Sequence, residues 1–194
     1  MHWWLAITLL VAAAVAYAYR AHTGDRNRLT VLFASLAEKY GGEATPGSLL
    51  ALPQLRFERN GQRYLVGAMP NSGAHEGASG PFTFVDVELP SDAGQEFRVE
   101  RRGAGRAVAP SAPGAAAITG LQAFEDAFRI RARDPTAAVR LLEAPVREKL
   151  LASRLSRLEA RVAGQKVSVH MAGIAASRDE LEELIEIAAL LARS

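Results

Sequence analysis

The chain contains no cysteine. That excludes a disulfide-stapled exterior domain, a thiolate nucleophile and any thiolate metal site. Histidine is scarce as well: His2, His22, His75 and His170 are scattered, and none stands at metal-ligand spacing from another. No Gly-x-Ser-x-Gly elbow is present, and Gly103-Ala104-Gly105 lacks the third glycine and the following helix start of a phosphate loop. His75 and Glu76 form the single histidine–carboxylate neighbour pair, in a Gly/Ser/Ala-rich stretch from Pro70 to Pro81 that offers no rigid support. The acidic group Asp179, Glu180, Glu182, Glu183 and Glu186 falls on the outer face of a capped helix, where carboxylates are solvated. Catalytic residues, a cofactor and a metal are therefore not expected, and the chain reads as non-enzymatic.

Lysine is also rare, three residues against 20 arginines in a chain rich in Ala and Gly, as GC-rich coding would produce. A net charge of +2 over 194 residues is too small to imply nucleic-acid binding, and the aromatics fall on apolar faces rather than among the basic residues. Arginines do cluster, at Arg98, Arg101, Arg102 and Arg106 and again at Arg129, Arg131 and Arg133. Strand alternation alone would place them on a solvated face. The alternative is contact with anionic headgroups or an acidic partner.

What the chain does have is one long hydrophobic run. Trp3 to Tyr19 carries no charge, and as a helix it would reach roughly 26 Å, close to the hydrocarbon thickness of a bilayer. A cleaved signal peptide would account for Ala16-Tyr17-Ala18, but Lys or Arg does not precede the run. A buried core helix would carry a polar stripe, and this segment is apolar all round. A permanent single-span anchor over residues 1–19 fits best. Trp3 and Trp4 at one end and Tyr17 and Tyr19 at the other are the interfacial aromatics. Arg20, Arg26 and Arg28 follow the run, and the positive-inside rule places the N-terminus outside and the remainder in the cytoplasm of a bacterial inner membrane. Ala12, Ala13, Ala14, Ala16 and Ala18 form a small-residue patch on which another helix could pack closely.

The rest divides into a juxtamembrane segment (20–28), a first α+β half (29–102), an Ala/Pro/Gly-rich linker or loop (103–120) and a second α+β half (121–194). Gly24 can break the helix and Asp25 cap a new one, whose Leu29, Leu32, Phe33, Leu36, Ala37 and Tyr40 share a face. Asn60-Gly61 predicts a hairpin between runs 55–59 and 62–69. Phe82–Leu89 reads as a third strand, and Phe97–Arg101 as a short charged one near an edge. Phe124–Arg133 reads as a strand with Phe128, Ile130 and Ala132 on one face. Asp134-Pro135 is a helix start, Pro145 an interruption, and Gly164 the turn of another hairpin. Ser177 to Glu180 is a capping box. Gly61-Gln62-Arg63 and Gly164-Gln165-Lys166 hint at a repeated helix-plus-hairpin unit.

The stretch from Phe124 through Phe128, Ile130, Asp134, Leu141, Leu142 and Pro145 to Leu150 resembles the core of a bacterial membrane-associated family of unknown function. The likeness covers roughly residues 120–175, without the family's Thr before the proline. It implies a membrane-tethered α+β domain and no reaction. The expectation is an α+β fold: one N-terminal transmembrane helix, then an antiparallel sheet of six or seven strands covered by three or four helices. Its partners would be the lipid bilayer and other membrane-protein subunits, with the role of an accessory, assembly or scaffold subunit on a larger complex of respiratory or photosynthetic type. The alternative is a tethered ligand- or lipid-sensing domain.

Overall fold

The computed structural model describes residues 3–48, 51–69, 80–94, 96–102 and 115–193. Within the first helix, residues 5, 14–19, 21 and 22 are described by backbone alone. His2, the His75–Glu76 pair, Gly103 to Gly105 and Arg106 lie outside the described residues.

The fold is α+β. Helix α1 (Trp3–Tyr40) is followed by β1 (Glu43–Thr45), β2 (Gln54–Arg59), β3 (Gln62–Met69), β4 (Phe82–Glu88) and β5 (Phe97–Arg101). Then come β6 (Ala115–Ala116), α2 (Gln122–Ala127), β7 (Phe128–Ala132), α3 (Pro135–Leu141) and α4 (Ala144–Ala152). The hairpin β8 (Glu159–Ala163) and β9 (Lys166–Ala172) and helix α5 (Arg178–Leu191) complete it. Among the described residues, nine strands form one antiparallel sheet in the order β1-β2-β3-β4-β9-β8-β5-β7-β6. The sheet is thus larger than the six or seven strands expected, and five helices lie among the described residues rather than three or four.

Three local expectations are corrected. The helix does not break at Gly24. A lone glycine costs a helix interior only about 1 kcal/mol, and the flanking turns are tied by hydroxyls: Thr23 Oγ1 donates to the Arg20 carbonyl and Thr30 Oγ1 to that of Arg26. Asp25 caps nothing; it pairs with Arg28 one turn on at 2.8 Å. Strand β5 is not itself an edge strand but lies between β8 and β7, third from the β6 edge, and its Arg98 is neutralised by Glu159 on β8 and by Glu100 two residues along β5. The strand expected within Phe124–Arg133 is present and spans Phe128–Ala132, while Phe124 belongs to α2.

Elsewhere local chemistry and structure agree. Asn60 and Gly61 both take positive φ (55° and 73°), as a tight hairpin turn between right-twisted strands requires. Asp134 Oδ1 accepts from Thr136 N and Ala137 N to cap α3. Ser177 Oγ caps α5 by accepting from Glu180 N, and the Glu180 carboxylate reaches back to Ala176 N, one residue beyond the usual partner.

The helices cover one face. Leu29, Phe33 and Leu36 of α1, Phe124 of α2, Ala138 of α3, Val146 and Leu150 of α4 and Leu181, Leu184 and Ile185 of α5 join a single core. Inward strand residues such as Val85, Val99, Ile130 and Val169 complete it. Helix α5 runs beside α1 in the same direction. Arg178 at its start meets Ser35, and Glu182 one turn later meets Lys39. At its far end the Ala192 carbonyl accepts from Gln62, beside the β2–β3 turn. Helix α1 therefore leaves the domain from the opposite end, where β4 begins and β9 ends.

Candidate functional site

Two regions carry the chemistry: the long first helix with its seat on the domain, and the face of the sheet opposite the helices. In α1 every large apolar side chain described before residue 20 is exposed, with Leu9 and Leu10 at 72 %. Among the described side chains of α1, the first buried one is Leu29. Beyond it, α1 is fastened by Phe33 and Leu36 and by a charged clasp. Glu182 Oε2 accepts from Lys39 Nζ at 2.6 Å and Glu182 Oε1 from Arg178 Nε at 2.6 Å, while Arg178 also donates to Ser35 Oγ at 2.9 Å. These hydrogen bonds, Lys39 first, hold the Glu182 carboxyl below its usual range. The same bonds raise Lys39 and Arg178. Tyr40 stacks on Phe57, which stacks on Tyr64, closing the joint (centroids 4.8 and 4.7 Å).

Among the described residues, no helix is long and apolar enough to cross a membrane. Of the residues named from sequence, Trp3 and Trp4 are exposed and pack ring to ring at 4.1 Å. Ala12, Ala13, Arg20 and Arg28 are exposed, and Arg26 is half-buried. The side chains of Ala14, Ala16, Tyr17, Ala18 and Tyr19 lie outside the described residues. The continuous helix aligns all of these positions along one axis.

On the face away from the helices, register brings together residues that are remote in sequence. One row reads Arg131, Arg98, Arg161, Ser168 and Asp86 across β7, β5, β8, β9 and β4. Three arginines stand directly opposite one another there, an arrangement that destabilises a sheet unless it is compensated. Arg98 is compensated twice. Its Nε lies 2.6 Å from Glu100 Oε1, without a well-directed hydrogen bond, and its terminal nitrogen donates to Glu159 at 2.9 Å. Arg161 pairs with Glu96 at 2.7 Å. Asp86 accepts from Ser168 Oγ and pairs with Lys166. Glu159 is lifted above the usual carboxylate range by burial, against the pull of Arg98.

The next row passes from Glu159 to His170, Phe84 and Gly67. Phe82 lies 5.5 Å from the His170 ring and 6.1 Å from that of Phe84. Gly67 is required by packing: a Cβ there would sit 2.6 Å from Phe84 Cζ. Because the Phe84 ring is itself buried, Gly67→Ala should cost about 1–3 kcal/mol through overpacking. A lowered thermal midpoint, recovered when Phe84→Leu is added, checks it.

This array was not visible in the linear sequence. Arg98 reads there as one more surface arginine; Glu100 is its neighbour two residues along the strand, but Glu159 is brought to it by register. Among the described residues, no group of three or more His, Asp or Glu side chains could hold a metal ion.

No protein-family model matches the chain, and no curated protein matches it. Among solved structures, the chain is similar to the crystal structure of the mycobacterial trehalose monomycolate transport factor A, TtfA. The TM-score is 0.62 at 10 % identity, over 88 % of this chain and 93 % of that one. At that identity the likeness establishes a shared fold.

Proposed function

We propose that the chain is a non-enzymatic, membrane-anchored accessory, assembly or scaffold subunit. Its head, residues 1–19, would sit in a bacterial inner membrane with the N-terminus outside, and its α+β domain would dock in the cytoplasm on a larger complex of respiratory or photosynthetic type. The observation that carries this reading is the exposure of Trp3, Trp4, Ile7, Leu9, Leu10 and Val11 along the first turns of α1. Exposing so much contiguous apolar surface to water is costly, and a bilayer relieves that cost. Arg20, Arg26 and Arg28 just beyond the run favour the stated orientation. The resemblance of residues 120–175 to a membrane-associated bacterial family points the same way.

A second reading, a membrane-tethered ligand- or lipid-sensing domain, is favoured by the fold shared with a protein named as a trehalose monomycolate transport factor. Extraction in mild detergent, followed by affinity capture and mass spectrometry, separates the two. A subunit should co-purify stoichiometrically with other membrane proteins, and Ala12→Leu with Ala13→Leu should release it if the small-residue patch is the contact. Recovery as a solitary monomer carrying lipid would reject the subunit reading in favour of the second.

A further inference from the structure

We infer that the end of the domain from which α1 emerges is a second membrane contact, an interfacial surface that rests on anionic headgroups. This deepens the anchored reading and depends on it. Outside α1, the exposed large apolar side chains among the described residues are Met69, Ile118, Leu121 and Leu151. Single exposed hydrophobics are ordinary; their gathering at one end of a domain is not.

Register places all four there. Met69 ends β3 and pairs with Phe82, which begins β4 and in turn faces Ala172 at the end of β9. Arg101 ends β5 on the same side, since its N–H reaches the Leu158 carbonyl just before β8 and its pair is Phe128, the first residue of β7. Leu121 immediately precedes α2, which leads into Phe128. Ile118, 74 % exposed, follows β6. The Ala117 N–H bonds to the Ile130 carbonyl, and carrying that register one residue further sets Ile118 beside Arg129 on the outer face. Leu151 lies in the last turn of α4, whose terminal carbonyls at Leu150 and Ser153 accept from the Arg101 guanidinium.

The charge at this end suits the same occupant. Arg102, Arg154 and Arg157 are exposed there, and among the described residues none of the three forms an ion pair. Of the nearby carboxylates, Glu125 is taken up by Thr119 and Gly120, and Asp126 accepts from Gln122; Asp179 in the first turn of α5 and Glu148, three residues before Leu151 on α4, are exposed, so among the described residues three arginines stand against two free carboxylates. Exposed aliphatic side chains ringed by unpaired arginines are the composition of a surface that settles into a headgroup layer. The gap is short: from Arg20 to Leu29, the first buried position among the described side chains, the helix rises about 13 Å, about twice the depth of one headgroup layer, a span that helix tilt and long arginine side chains can bridge.

The absence of cysteine makes the test direct. Single-cysteine variants of the full chain, Ile118→Cys and Leu151→Cys near the membrane and Gln165→Cys at the opposite turn, are labelled with a small fluorophore. They are reconstituted into phosphatidylcholine vesicles, with or without phosphatidylglycerol, that carry a headgroup nitroxide quencher. Flotation reports anchoring and quenching reports docking. The expected result is several-fold quenching at 118 and 151, stronger with phosphatidylglycerol, and little at 165. Vesicles that float with the chain while 118 and 151 are no more quenched than 165 overturn the docking surface and leave the anchor standing. Equal quenching in both lipids overturns its anionic preference, and failure to float overturns the anchor together with the docking built on it.

Discussion

Arginine placed at both Leu9 and Leu10 is expected to move the chain from the membrane fraction to the soluble one. Both side chains are among the most exposed apolar groups of the molecule and lie near the middle of the uncharged run. An arginine at the centre of a spanning helix costs about 2.5–3.5 kcal/mol on insertion scales. Two such costs approach the margin by which a single short span is held. The measurement is flotation after alkaline carbonate extraction. Retention of the double variant in the floating fraction would mean that the head is not what holds the chain. Because both positions precede Leu29, the first buried residue among the described side chains of α1, the domain should keep its melting transition, so misfolding cannot mimic the result.

The second large effect concerns the seat of the helix. Phe33 is fully buried between α1 and the sheet, in one cluster with Leu29, Leu36 and Leu55. Phe33→Ala should cost about 3–5 kcal/mol through lost transfer energy and the cavity left behind. That is a large share of the 5–15 kcal/mol that holds a typical domain. Val31, on the same helix but 70 % exposed, is the control: Val31→Ala should stay within about 0.5 kcal/mol. Urea unfolding of both checks the contrast, and similar midpoints would mean that α1 contributes little to the fold.

How much of this was legible in advance depended on the range of the interaction involved. The apolar face of α1 from Leu29 to Tyr40, the Asn60-Gly61 turn, the Asp134 cap and the alternation of Phe128, Ile130 and Ala132 with arginines were all readable. Each depends on residues within a turn or two of one another. The interior position of β5, between β8 and β7, was not readable, since a charge opposing Arg98 comes from Glu159, 61 residues later. Nor was the clasp at Glu182, whose partner Lys39 lies 143 residues earlier. Gly24 misled for a different reason: a helix breaker acts through a small local penalty, and here both neighbours propagate the helix. Gly67 went unremarked because its meaning lies in the ring of Phe84 on the next strand.

The unbroken run of α1 from Trp3 to Tyr40 has a mechanical consequence. A helix turns about 100° and rises about 1.5 Å with each residue, so the head and the domain keep a fixed phase about a common axis, like two keys cut on one shaft. One residue inserted between Arg20 and Asp25 would swing the domain about 100° while barely lifting it, and a seven-residue insertion would bring it back to within about 20° of its original bearing. Any neighbour that grips the head thereby also sets which side of the domain it meets.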